Sequence, residues 1–158
     1  MIDELVVDNY IENTLGQTDL NIGWSILEEL TFAKDSLECS KIALALVEKI
    51  VAKSENDAVL SRVGAGVVES LLRSDHADIY NRILELALAE DSWASILKYT
   101  WFRENEAYRV ISKEFPKVAL LGRAFGEFDE EDDQKAEEQL EESSQAEEID
   151  PTENENLI

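Results

Sequence analysis

Apolar residues recur three and four positions apart over most of the chain up to Phe115, and polar turn signals break the pattern at short intervals. Such spacing predicts one amphipathic helix after another. Ile2, Leu5, Val6, Tyr10 and Ile11 give an opening helix that ends before Gly16. A second starts near Leu20, with Trp24, Leu27 and Leu30 on one stripe and Asp19 or Asn21 as its cap. Gly23 beside Trp24 either costs about 1 kcal/mol of helix propensity relative to alanine or makes room for a close neighbour. Asp35 and Ser36 cap a third helix whose predicted face is Cys39, Ile42, Leu46, Ile50 and Val51, ended by the polar turn Ser54-Glu55-Asn56-Asp57.

Ala58 to Val63 leads into Gly64-Ala65-Gly66, where two glycines let a helix begin, bend or pack closely, and Val67 to Leu72 is expected in the next helix. Ser74 or Asp75 caps a helix carrying Ile79, Ile83, Leu86 and Ala87. Asp91-Ser92 precedes Trp93, Ile96, Leu97 and Trp101, and Asn105 caps a last helix that Pro116 ends. No segment alternates with period two between hairpin turns. The expected fold is therefore all-α, either an irregular helical bundle or a short HEAT-like stack of helical hairpins. A weak echo is what a stack would give, Ile42 matching Ile79, Leu46 matching Ile83 and Glu48 matching Glu85 at an offset of 37 residues, but two copies do not establish a repeat and the irregular bundle is preferred. Lys117 to Phe128 is read as a last apolar element, either a short helix covering the core or an exposed segment, with the covering role preferred.

Composition changes the picture at the C-terminal end. The chain of 158 residues carries 14 basic and 36 acidic residues, a net charge of −22. From Glu127 to Ile158 there are 15 acids and one base, Lys135, so −14 falls there and −8 on the rest. This divides the sequence into a helical domain, 1–126, and an acidic tail, 127–158, too charged and too poor in aromatics to offset its ordering entropy. The charge argues against direct binding of nucleic acid, whose phosphates are met by Lys and Arg, and suits a basic partner. Cys39 has no second cysteine to pair with and is expected to be a small buried residue. Acids at the N-terminus and the lack of a long apolar run point to a soluble cytoplasmic protein without a membrane span.

Trp24 early in a helix, the Leu46-Val47 helix, the run Gly64-Ala65-Gly66-Val67-Val68-Glu69-Ser70-Leu71-Leu72, His76, the Ile79 to Leu86 helix and Trp101 form a set. With it, the span from about Trp24 to Val110 resembles a bacterial family of small all-helical domains of unknown function. Its most specific piece is Gly-Ala-Gly-x-x-Glu-x-Leu-Leu, and Val67 stands where a proline often follows the second glycine. The resemblance implies an all-helical fold in a bacterial cytoplasm and supplies no reaction, cofactor or partner.

Candidate chemistry is sparse. Glu69 is expected just inside a helix beginning near Gly66, where its carboxylate meets the positive end of the dipole, worth about 0.3 to 1 kcal/mol. His76, the one histidine, lies between Asp75 and Asp78 and would join Glu69 in acid–base work only if the intervening turn folded back. No nucleophile elbow, phosphate-binding lysine loop or calcium loop occurs. Trp24, Trp93 and Trp101 read as core, or, if Trp101, Phe102 and Tyr108 emerge together, as interface anchors. These observations set the functional expectation: a non-enzymatic protein-interaction module of the immunity or antitoxin kind, using a surface around Gly64, Gly66, Glu69, His76 and Trp101 and needing no cofactor or metal. The alternative is a DNA mimic, and an enzyme built on Glu69 and His76 ranks third.

Overall fold

One pattern of burial occurs three times. Val6, Val7 and Tyr10 are buried in α1 (Ile2–Thr14), Ala43, Leu44 and Val47 in α3 (Leu37–Lys53), and Ile79, Tyr80 and Ile83 in α6 (Ala77–Ala89). Positions i, i+1 and i+4 share one helical face. The three helices pack in series, α1 on α3 and α3 on α6. The structure, a computed structural model, describes residues 2–33 and 36–120, of which 76% are helical. The predicted acidic tail and its boundary at 126/127 lie outside the described residues.

Each of these helices is followed by a partner that folds back on it. After α1, Gly16 takes a left-handed φ of 75°, and the N–H groups of Gly16 and Gln17 close onto the carbonyls of Asn13 and Glu12. The chain then enters α2 (Ile22–Glu28), extended by a π-helical turn, Glu29–Ala33. Gly23 settles in favour of close packing: a Cβ there would lie 2.5 Å from the Val6 carbonyl oxygen. Ser36 caps α3 by accepting from the Cys39 N–H, and Asn56 caps α4 (Asp57–Val63) by accepting from the Ala58 N–H. α6 is followed by α7 (Asp91–Lys98), and α8 (Glu106–Glu114) closes the described helices.

The structure corrects the sequence-based expectations at five points. The helix does not restart at the glycines: α4 passes through a π-helical turn, Gly64–Val68, directly into α5 (Glu69–Arg73). The face of α3 is turned from the predicted one, so Ile42 is 52% exposed and Cys39 only half-buried, while Ala43, Leu44 and Val47 fill the core. The echo accordingly runs one residue out of register. Buried Ala43, Leu44, Val47, Ile50 and Val51 correspond to buried Ile79, Tyr80, Ile83, Leu86 and Ala87 at an offset of 36 residues, whereas Ile42 and Ile79 have opposite environments.

Asp75 does not cap α6, whose N-cap position is His76. Its carboxylate instead accepts from the N–H groups of Ala107, at 2.7 Å, and Glu106, capping α8 together with Asn105. Finally, the described part of the segment after Pro116, up to Leu120, covers the core as a strand, β1 (Trp101–Phe102) pairing in parallel with β2 (Ala119–Leu120) and Leu120 being buried, while residues 121–128 of the expected apolar element lie outside the described residues.

Candidate functional site

The sequence-derived candidates meet different fates. Gly64 is where α4 leans on the end of α7, and a Cβ on it would stand 2.5 Å from the Ile96 carbonyl oxygen. The buried Thr100 hydroxyl lies 3.0 Å from both the Gly64 and Ile96 carbonyl oxygens, tying the π turn to α7. Gly66 makes room for the Trp24 ring, which approaches its Cβ position to 3.0 Å. That ring stacks near Tyr10, and the Arg62 guanidinium lies over both rings at 4.8 and 5.0 Å while donating to Asn13 and Thr14. Both glycines thus serve packing between helices.

Glu69 has no helix start to meet, because the helix runs through it. Its carboxylate accepts weakly from the Trp101 N–H at 3.5 Å and stands 4.0 Å from the Arg73 guanidinium, which lies over the exposed Phe32 ring. The crevice that Glu69 and Arg73 form with Leu72, Trp101 and Asn105 holds about 10 Å³, too little for a substrate. His76 contributes its carbonyl, not its side chain, to the first turn of α6, and its ring is half-buried. The structure therefore brings Glu69 to Trp101 and leaves His76 at the start of the next helix. Of the tryptophans, Trp93 is core, Trp24 half-buried, and Trp101 is 42% exposed, while Phe102 stays buried against Tyr108.

A much larger concavity than this crevice lies elsewhere among the described residues. A groove of about 690 Å³ opens where α3, α6 and the start of α7 meet. Val51, Leu86 and Trp93 reach it from the core; Glu48, Glu55, Glu90 and Asp91 bring four carboxylates, and Arg82 is the one base in its lining. Taken together these side chains carry −3. Arg82 crosses from α6 to α3, with Nη2 2.7 Å from Glu48 Oε1 and Nη1 3.3 Å from Glu85 Oε2. The hydrogen bond to Glu48 and its charge, followed by those of Glu85, hold the guanidinium in its charged form, above the ordinary arginine range.

Sequence reasoning passed over this groove. A lateral groove of this kind needs the distance between two helices, which periodicity within each helix does not carry. A second recess, about 330 Å³, is mostly apolar and lies between α7 and the Phe115–Val118 turn.

Among the described residues, no group of three or more His, Cys, Asp or Glu side chains is placed to hold a metal ion. No helix there is long and apolar enough to cross a membrane. Comparison with family models, curated proteins and solved structures finds no match to this chain.

Proposed function

We propose that this protein is a non-enzymatic binding module whose α3–α6 groove receives a basic, partly apolar segment of another protein. The observation that carries the reading is the groove itself: a concavity of about 690 Å³ with apolar residues at its base and an excess of carboxylates around them. A partner offering Lys or Arg beside a leucine-sized side chain matches both parts, the charges steering the encounter and the apolar contact supplying short-range affinity. Nucleic-acid mimicry is the weaker reading of this surface, since buried Val51, Leu86 and Trp93 line it together with the acids. An antitoxin or immunity role, which a small, acidic, helical body suits, is one setting in which such a module would act, in the bacterial cytoplasm that the family resemblance implies.

The test uses the full chain and an amphipathic leucine–lysine peptide as probe, followed by amide chemical shifts at about 0.15 M salt, where long-range attraction is screened beyond roughly 8 Å. Shifts concentrated at Glu48, Arg82, Asp91 and Trp93, with affinity reduced in Glu48→Gln and Glu90→Gln, are expected. Binding that ignores both substitutions and perturbs only residues beyond 126 would transfer recognition to the acidic tail.

A further inference from the structure

The groove already holds a guanidinium. Arg82 spans α6 to α3, and each of its terminal nitrogens engages one oxygen of a carboxylate, Glu48 on one side and Glu85 on the other. Its side chain is 42% exposed and Glu48's is 31% exposed, so the pair sits at the groove's surface with solvent beside it. Exposed ion pairs of this sort shift an equilibrium by about twofold to fivefold, which makes them easy to exchange for another cation. The long arginine stem allows the head group to swing into water while its methylenes stay on the protein surface. Lys41 also bridges these two helices, reaching Asp78 at 3.8 Å, but it does not line the groove.

We infer that Arg82 is a built-in competitor for the groove: it occupies the Glu48 carboxylate that an incoming lysine or arginine must take, and so sets which basic segments bind. This rests on the groove being the binding surface. A segment offering a single ammonium must displace a guanidinium that is bonded on two sides, and gains little by doing so. A segment offering two or more cations can occupy Glu55, Glu90 and Asp91 first and then exchange with Arg82 at Glu48. The groove would therefore discriminate by the number and spacing of cations more sharply than its net charge alone requires. Arg82 is a specificity residue in this account, and removing it should strengthen binding. A residue that only braced α3 against α6 would have the reverse effect.

The experiment measures affinity of the full chain for the labelled leucine–lysine peptide, at about 0.02 and 0.15 M salt, in the parent and in Arg82→Ala, Arg82→Gln, Glu48→Gln and the Glu48→Gln/Arg82→Ala double variant. Arg109→Gln, which removes the same charge from α8 outside the groove, controls for net charge. The expected result is an affinity gain of about twofold to fivefold in both Arg82 variants, a smaller gain in Arg109→Gln, a loss in Glu48→Gln, and no further gain from Arg82→Ala once Glu48 is gone. Arg82→Gln reads the same competition if the alanine variant folds poorly. Weaker or unchanged binding in folded Arg82 variants, with Glu48→Gln still weakened, overturns the competitor and leaves the groove standing. Equal gains in Arg82→Gln and Arg109→Gln also overturn it. Indifference of binding to every groove substitution removes the groove reading itself.

Discussion

The ladder formed by α1, α3 and α6 and the junction around Gly64 are neighbours built on opposite terms. In the ladder, Val6, Val7 and Tyr10, then Ala43, Leu44 and Val47, then Ile79, Tyr80 and Ile83 fill equivalent places with side chains of quite different size. In the junction, backbone is met closely by backbone and by short polar side chains: Gly64 lies on the Ile96 carbonyl, the Thr100 hydroxyl and the Asn105 amide donate to the Gly64 and Leu72 carbonyls, and the Asp75 carboxylate accepts from the Ala107 N–H. The first region depends on volume being present and the second on its absence. The ladder should accordingly tolerate changes of shape but not loss of bulk, and the junction should tolerate neither an added methyl nor a missing acceptor.

The largest effect is expected from emptying the ladder. Ile83→Ala removes a fully buried side chain and should lower stability by about 2 to 5 kcal/mol in denaturant titration; a loss under about 1 kcal/mol would mean that α3 and α6 close over the gap. Gly64→Ala comes next, at about 1 to 3 kcal/mol, since a methyl pressed on the Ile96 carbonyl outweighs the better helix propensity of alanine. Asp75→Ala should cost about 0.5 to 2 kcal/mol through the lost cap on α8, with amide exchange faster at Glu106 and Ala107 than elsewhere. Asparagine there keeps an acceptor and suits the φ of 59°, so Asp75→Asn should recover most of the loss.

Gly66→Ala sharpens the contrast within the π turn. The half-buried Trp24 ring can yield by a few tenths of an ångström, and the propensity gained offsets the strain, so a change within about 0.5 kcal/mol is expected by thermal melt. Tyr10→Phe should be smaller still near neutral pH, because the buried hydroxyl has no hydrogen-bond partner among the described residues. Burial raises the Tyr10 pKa above its ordinary value of 10.0, an effect that the Arg62 charge only partly opposes. The neutral phenol therefore contributes its full stability below that value, and stability falls as pH climbs past it, where the unfolded chain releases the proton and the folded one retains it. Melts at about pH 7 and pH 11 should show Tyr10→Phe losing less on the alkaline side than the parent. An identical alkaline loss would place the proton release on the other tyrosines.

Much of this architecture was legible in residue order. The helices around Val6, Leu46, Ile83, Ile96 and Ile111, the caps Ser36 and Asn105, the polar turn at Asn56 and the stop at Gly16 all obey local rules, because a helix's periodicity and its unpaired end groups are properties of a few consecutive residues. The tight packing at Gly23 and Gly64 was foreshadowed by the glycines themselves, though not the neighbour each would meet. The rotation of α3 that exposes Ile42 was invisible, since both Ile42 and Ala43 are apolar and only the positions of α1 and α6 choose between them.

The same distinction governs function. Sequence alone determined an acidic chain of amphipathic helices, because charge and periodicity are written residue by residue. Tertiary structure decided that the helix continues through Gly64–Val68, that Asp75 serves α8, that Glu69 meets Trp101, and that Glu48 and Arg82 share a groove. The last three join residues more than thirty positions apart, and the first goes with the close approach of Gly64 to the Ile96 carbonyl, so such choices are made by packing the whole core at once.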